Sequence, residues 1–190
     1  MPVIAACGGG ERQDANEPEG TFKVEVVGAT FPRSQHIAQN VRLRLRVHNA
    51  DQETLHNVAV TVETKAKGVN APSAFGQRSS GQGLSDSDRP VWVLDEGPAG
   101  GDTAYVNTWL AGTLRAGETR LLTWKLVAAK AGNYSVGYRV SPGLTGKAQA
   151  ARGRTSGSFD VTIDDEPVPA RVGANGRVIR GEEPGGPPAD

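Results

Sequence analysis

Val41-Arg42-Leu43-Arg44-Leu45-Arg46-Val47 alternates an aliphatic residue with an arginine at every step. Successive side chains of a β-strand point to opposite faces, so this run puts Val41, Leu43, Leu45 and Val47 on one face and three guanidinium groups on the other. A helix would scatter the same residues around its circumference; only an extended chain separates them. The flanking stretches follow the same rule. Phe22-Lys23-Val24-Glu25-Val26 alternates before it and Val58-Ala59-Val60-Thr61-Val62-Glu63 after it, with β-branched residues suited to a pleated surface. The turn-forming Asn49-Ala50-Asp51-Gln52-Glu53 lies between the two longer runs, which therefore read as neighbouring strands.

Downstream, short strands are expected at 91–94 and 105–110, separated by the turn-rich Asp95-Glu96-Gly97-Pro98-Ala99-Gly100-Gly101-Asp102. Leu114-Arg115-Ala116-Gly117-Glu118 forms a further turn before a strand at 120–128, where Leu122, Trp124 and Leu126 share a face. Ala131-Gly132-Asn133 leads into 134–140, aligning Tyr134, Val136, Tyr138 and Val140, and Phe159-Asp160-Val161-Thr162-Ile163 closes the series. About eight short strands with turn signals between them, and no competing helical period, predict an all-β chain with a single immunoglobulin-like antiparallel β-sandwich. The stretch 147–154 is open between a short helical turn and a loop. From 65 to 90 the chain is rich in Gly, Ser, Asp and Pro and longer than most connections, which suits a binding loop or a mobile segment.

The sandwich is expected over 22–163, between disordered N- and C-terminal tails. Residues 1–21 contain Gly8-Gly9-Gly10 and a polar, acid-rich run that cannot bury apolar area and suits a flexible tether. Residues 164–190 are mostly acid, Pro and Gly, with an Asn-Gly hairpin signal at 172–179 that either packs as a small ribbon or stays unpaired.

Composition narrows the function classes. Lys plus Arg and Asp plus Glu number 21 each, so no general attraction toward nucleic acid is expected. A single cysteine excludes an intramolecular disulfide. No apolar run approaches the roughly 18–20 residues that span a bilayer, so membrane association must come through a lipid or a partner.

That cysteine stands in Ile4-Ala5-Ala6-Cys7, which is similar to the lipobox of bacterial lipoproteins. The resemblance implies diacylglycerol on Cys7, the first residue of the mature chain, and an extracytoplasmic, membrane-anchored location. A secretory signal needs a basic region and an apolar stretch of about 7–15 residues upstream of its cleavage site. Either the true start lies upstream of Met1, which is the expectation, or the product stays in the cytoplasm.

In the middle of the chain, Leu43-Arg44-Leu45-Arg46-Val47-His48-Asn49 followed by Val58-Ala59-Val60-Thr61-Val62 resembles bacterial cell-adhesion-related (CARDB-like) immunoglobulin domains. So do the turn Leu114-Arg115-Ala116-Gly117-Glu118-Thr119 and the strand entry Ala131-Gly132-Asn133-Tyr134-Ser135-Val136. The resemblance, over roughly 22–163, implies a fold and transfers no active site.

Chemistry-bearing residues do not assemble into a catalytic pattern. His36, His48 and His56 lack zinc-ligand spacing, and Ser85-Asp86-Ser87-Asp88 lacks the glycine and terminal glutamate of an EF-hand loop. Asp86, Asp88, Asp95, Glu96 and Asp102 crowd the strand at 91–94, which suits a solvated loop better than calcium or a glycosidase pair. No Gly-x-Ser-x-Gly elbow follows a strand. No metal, cofactor or enzymatic activity is therefore expected, nor any nucleic-acid partner. Trp92, Trp109 and Trp124, with Tyr105, Tyr134 and Tyr138, suit the core better than a sugar-stacking platform; Trp124 is expected to be buried, and Trp92 and Trp109, which flank the long loop, are the two to contact a ligand if any aromatic does. The expectation is a non-catalytic cell-envelope lipoprotein domain that binds an envelope protein or surface component, with a carbohydrate-binding module using exposed Trp92 and Trp109 as the alternative. A hydrolase would require two carboxylates facing one cleft.

Overall fold

The computed structural model describes residues 17–65, 74–77, 90–101, 103, 105–168, 170–172, 176 and 178–180, and the regular structure among them is all strand. The strands are β1 (Gly20–Phe22), β2 (Val24–Thr30), β3 (Ser34–His36), β4 (Asn40–Asn49), β5 (Leu55–Lys65), β6 (Gly76–Gln77) and β7 (Trp92–Glu96). They continue with β8 (Thr108–Leu114), β9 (Thr119–Ala128), β10 (Gly132–Ser141), β11 (Ala148–Ala150), β12 (Ser156–Asp164), β13 (Ala170–Val172) and β14 (Val178–Arg180). Two five-stranded sheets form, one ordered β2-β4-β9-β7-β6 and the other β3-β12-β10-β5-β8. β2-β4-β9-β7 matches the A-B-E-D order of an immunoglobulin sandwich and β12-β10-β5 matches G-F-C. The chain is thus an immunoglobulin-like, predominantly antiparallel β-sandwich. Among the described residues, parallel pairing is confined to β3 with β12, β6 with β7 and the short β1–β11 ribbon.

Alternation decides which side chains meet between the sheets. Leu43, Leu45 and Val47 of β4 are fully buried, as are Val58, Val60 and Val62 of β5, whereas Arg42, Arg44 and Arg46 are exposed. Each fully buried aliphatic contributes on the order of 1.5–3 kcal/mol, so the interior is the main stabilising term. Trp92 and Trp124 are also completely covered. Trp92 packs at 5.5 Å from Phe31 and 5.6 Å from Tyr134, and Trp124 meets Trp109 edge to face at 5.6 Å.

β4 and β5 are not neighbours, contrary to the reading of their sequence. β4 pairs with β2 and β9, and β5 with β10 and β8, so the chain crosses from one sheet to the other between them. Asn49, fully buried at the end of β4, fixes the crossing. Its Nδ2 donates to the carbonyls of Glu53 at 2.8 Å and Leu114 at 3.0 Å, and its Oδ1 accepts from the Asp51 amide at 2.9 Å. Its backbone is tied at 2.9 Å to Gly117 and to Glu118, in the turn that connects β8 to β9 and so makes the return crossing. Gly117 takes the positive φ of 73° that this turn requires.

Both crossings carry a carboxylate held in its charged form. Asp51 accepts the Lys23 amide at 2.8 Å and the Gln52 amide at 2.7 Å, hydrogen bonds that lower its pKa. Glu118 accepts the Arg115 amide at 2.9 Å and pairs with the Arg120 guanidinium, and its pKa is likewise lowered.

Other expectations shift in detail. The stretch at 147–154 contains a strand, β11, paired in parallel with β1. The strand expected at 105–110 begins later, at Thr108, because Asn107 adopts a φ of 62° and makes 105–107 a turn. Within the long 65–90 connection, Ala74 and Phe75 are buried and β6 pairs with β7; its other residues lie largely outside the described ones. The hairpin signal at 172–179 corresponds to the pairing of β13 with β14. Of the tether expected over 1–21, residues 1–16 lie outside the described residues, whereas Glu17 is buried and β1 begins at Gly20; the terminal stretch 181–190 also lies outside them.

Candidate functional site

Of the residues marked as ligand-contacting, neither reaches the surface. Trp92 is 0 % exposed and Trp109 6 %. Neither has the partial exposure that a ligand contact would need, and the reason lies in register: Trp92 opposes Ala128 and Trp109 opposes Val60, positions whose side chains face the interior. The Trp92 indole donates to Gln35 Oε1 at 2.7 Å, and Gln35 in turn donates to the Pro32 carbonyl at 2.8 Å, so its polar edge is satisfied internally. Trp109 and Trp124 have buried indole nitrogens without a hydrogen-bond partner, and their edge-to-face contact supplies the favourable geometry there. A sugar ring has no indole face to stack on. Cys7 lies outside the described residues.

Of the acids near 91–94, Asp95 and Glu96 are among the described residues. Glu96 pairs with Lys125, Asp95 is exposed, and Asp86, Asp88 and Asp102 lie outside the described residues. His36 sits 3.0 Å from the Glu166 carbonyl, and His48 lies 3.0 Å from the Thr119 hydroxyl on a different part of the molecule. Among the described residues no three His, Cys, Asp or Glu side chains gather in a way that would hold a metal ion. No helix among them is long and apolar enough to cross a membrane.

What the structure does assemble is a groove of about 650 Å³ on the outer face of the β3-β12-β10-β5-β8 sheet. Its floor is Ala59 and Thr61 of β5 with Arg139 and Ser141 of β10. One wall is the 142–150 connection, and the other is the turn carrying Tyr105 and Val106. Ala59 is only 2 % exposed although it stands outside the core between the sheets, because these walls rise over it. Tyr105 and Val106 are 47 % and 68 % exposed, two large apolar side chains side by side at the mouth. The left-handed Asn107 projects them, and its Oδ1 accepts the Ala74 amide at 2.6 Å, which ties the turn to the long connection. Thr61 and Thr108 share a hydrogen bond at 3.0 Å inside the groove.

The 142–150 wall is held by the N-terminal segment. Glu17, 6 % exposed, accepts the Thr145 amide at 3.0 Å and the Thr145 hydroxyl at 2.8 Å. Gly143 leaves the room this carboxylate occupies: a Cβ there would fall 1.6 Å from Glu17 Oε1. β1 then pairs with β11 and extends the clamp along the wall. Sequence reading located none of this, because neither a lone Glu in an acid-rich run nor a Tyr-Val pair beside a turn signals which distant loop it will meet.

No protein-family model matches the chain, and no curated protein matches it. Among solved structures, it is similar to the CARDB domain of a Pyrococcus furiosus protein crystallised with di-metal ions, at 14% identity and a TM-score of 0.46, over 76% of this chain and 94% of that one. It is also similar to part of Escherichia coli alpha-2-macroglobulin, at 12% identity and a TM-score of 0.45, over 82% of this chain and 21% of that one. A β-glucosidase from Listeria innocua in complex with glucose follows at 13% identity and 0.37, over 75% of this chain and 16% of that one. With TM-scores below 0.5, none of the three bears on what this chain binds or does.

Proposed function

We propose that this chain is a non-catalytic interaction module of the bacterial cell envelope, anchored by a lipid on Cys7, that docks a partner protein in the groove beside Tyr105 and Val106. The observation that carries the docking reading is that exposed pair at the mouth of a preformed groove with a buried floor. Aromatic side chains with an accessible polar tip are favoured where a surface must be apolar and wet at once. Thr61, Thr108, Ser141, Gln149 and the exposed Arg139 add hydrogen-bonding groups around them. Recognition there works by shape and by water exclusion around a small apolar centre.

Two experiments test the two halves separately. A photo-reactive side chain replacing Val106, in cells expressing the full chain, is expected to cross-link one discrete partner, and Tyr105→Ala is expected to abolish that product. The same probe at exposed Arg115, in the β8–β9 turn, serves as control; equal products from both positions overturn the groove. Mass spectrometry of the mature N-terminus, with palmitate labelling of wild type and Cys7→Ser, tests the anchor. An unprocessed, unlabelled chain removes it and leaves the groove to be judged on its own.

A further inference from the structure

The outer face of the other sheet carries the arginines with which the sequence opened. Arg42, Arg44 and Arg46 project from β4, a central strand, so their spacing is set by the strand's rise: about 6.7 Å between alternate residues and about 13 Å from the first to the last. All three are exposed, and among the described residues none of their guanidinium groups forms a hydrogen bond or an ion pair. Their neighbours across the ladder explain why. Arg42 stands opposite Lys125, Arg44 is flanked by Thr30 and Thr123, and Arg46 by Gly28 and Leu121. No carboxylate occupies any of these positions, and Lys125 already holds Glu96. Like charges stacked this closely repel, so the fold carries the row uncompensated.

Two further features give the row a direction and a shape. The stem of Arg46 lies over Gly28, whose missing side chain leaves room for it, with Cδ 3.4 Å from where a Cβ would stand. Val27 and Leu121, 41 % and 53 % exposed, stand at the Arg46 end of the row. The surface is therefore flat, linear, positive along its length and apolar at one end.

We infer that this face binds an extended acidic peptide segment of a partner protein, carrying carboxylates at alternate positions in register with Arg42, Arg44 and Arg46. The match is one of period: an extended peptide laid over the sheet repeats every two residues, as the ladder does. Each guanidinium can take a carboxylate in a two-pronged hydrogen-bonded pair, which a diffuse positive surface would not select. Thr30 and Thr123 flank the middle of the track with uncharged groups, and an aliphatic side chain of the peptide settles between Val27 and Leu121 to set the register. This surface is separate from the groove and does not depend on a lipid at Cys7.

The experiment titrates the full chain, by calorimetry at low and at physiological ionic strength, with three synthetic peptides. One alternates Glu and Ser, a second has the same composition with its glutamates in one block, and a third alternates Lys and Ser. The alternating acidic peptide is expected to bind about tenfold tighter than the block peptide, and the basic one not at all. The Arg42→Gln, Arg44→Gln, Arg46→Gln triple variant is expected to lose at least tenfold, and the single Arg44→Gln two- to fivefold; the single variant decides the matter where the triple one fails to fold. Tyr105→Ala is expected to leave these affinities unchanged. Equal binding of the alternating and block peptides overturns the inference in favour of simple charge attraction. Ladder-dependent binding to phosphatidylglycerol vesicles without peptide binding overturns it in favour of a lipid surface.

Discussion

Ala59 and Arg44 occupy equivalent places: each points outward from a long inner strand of its sheet, β5 and β4 respectively. Ala59 is 2 % exposed and Arg44 is open to solvent. The difference belongs to the connections, not to the strands. On the β5 side the 142–150 wall and the Tyr105–Val106 turn rise above the sheet, and a small side chain is all the floor admits. Above β4 the row of guanidinium groups stays uncovered. A sandwich thus has two outer faces made by one alternation rule, and loop packing turns one into a groove and leaves the other a charged plane.

Breaking the groove side is expected to cost most. Ala59→Asp places a carboxylate on a covered floor and should lower unfolding stability by about 2–3 kcal/mol, whereas Arg44→Asp should change it by no more than about 0.5 kcal/mol. Urea denaturation of the two variants measures the contrast directly, and equal losses would show that the two faces are covered alike.

Next in size is the clamp on the groove wall. Gly143→Ala forces the Glu17 carboxylate out of its place, and Glu17→Ala removes the acceptor for Thr145; each should cost about 1–2 kcal/mol. The loss should be local. Hydrogen exchange should quicken at the Gly20 and Ala151 amides, which bond to Lys147 and Phe22 in the β1–β11 ribbon, and stay unchanged in β4 and β9.

A smaller effect should fall on the β4–β5 and β8–β9 crossings. Asp51 and Glu118 have lowered pKa values in the folded chain, set first by the Lys23 amide and the Arg115 amide respectively. Their contribution is complete above the ordinary carboxylate range and is lost as pH falls through the lowered values. Asp51→Asn and Glu118→Gln should therefore each lower the neutral plateau of a stability profile slightly and leave its acid end nearly unchanged, so that the acid limb becomes shallower. Smallest of all is Tyr105→Ala, which should move the midpoint by less than about 0.5 kcal/mol while abolishing partner cross-linking at the groove.

Much of this architecture was legible in the chain. The faces of β4, β9 and β10 follow from period two, and Leu43, Leu45, Leu122, Trp124, Leu126, Val136 and Val140 are all buried as the alternation requires. Loops and long-range pairs were not legible. A long polar connection flanks Trp92 and Trp109, which leaves their exposure open in the sequence, and their cross-strand partners turn both inward. β4 and β5 looked adjacent because a short turn joins them, and a short turn serves equally to change sheets when an asparagine such as Asn49 can satisfy both sides of the gap. The groove escaped notice because its walls come from segments far apart in sequence.

By itself, the order of residues determined that the chain forms strands, which side chains of the long strands face inward, and that Arg42, Arg44 and Arg46 share one face, since side-chain direction in an extended chain is a local property. Tertiary structure alone decided which strands pair, that Glu17 meets Thr145 across 128 positions, and that Ala59 is hidden while Arg44 is bare. Those outcomes depend on what lies overhead. That is set by the closure of distant loops over one sheet and not the other, which no local period encodes.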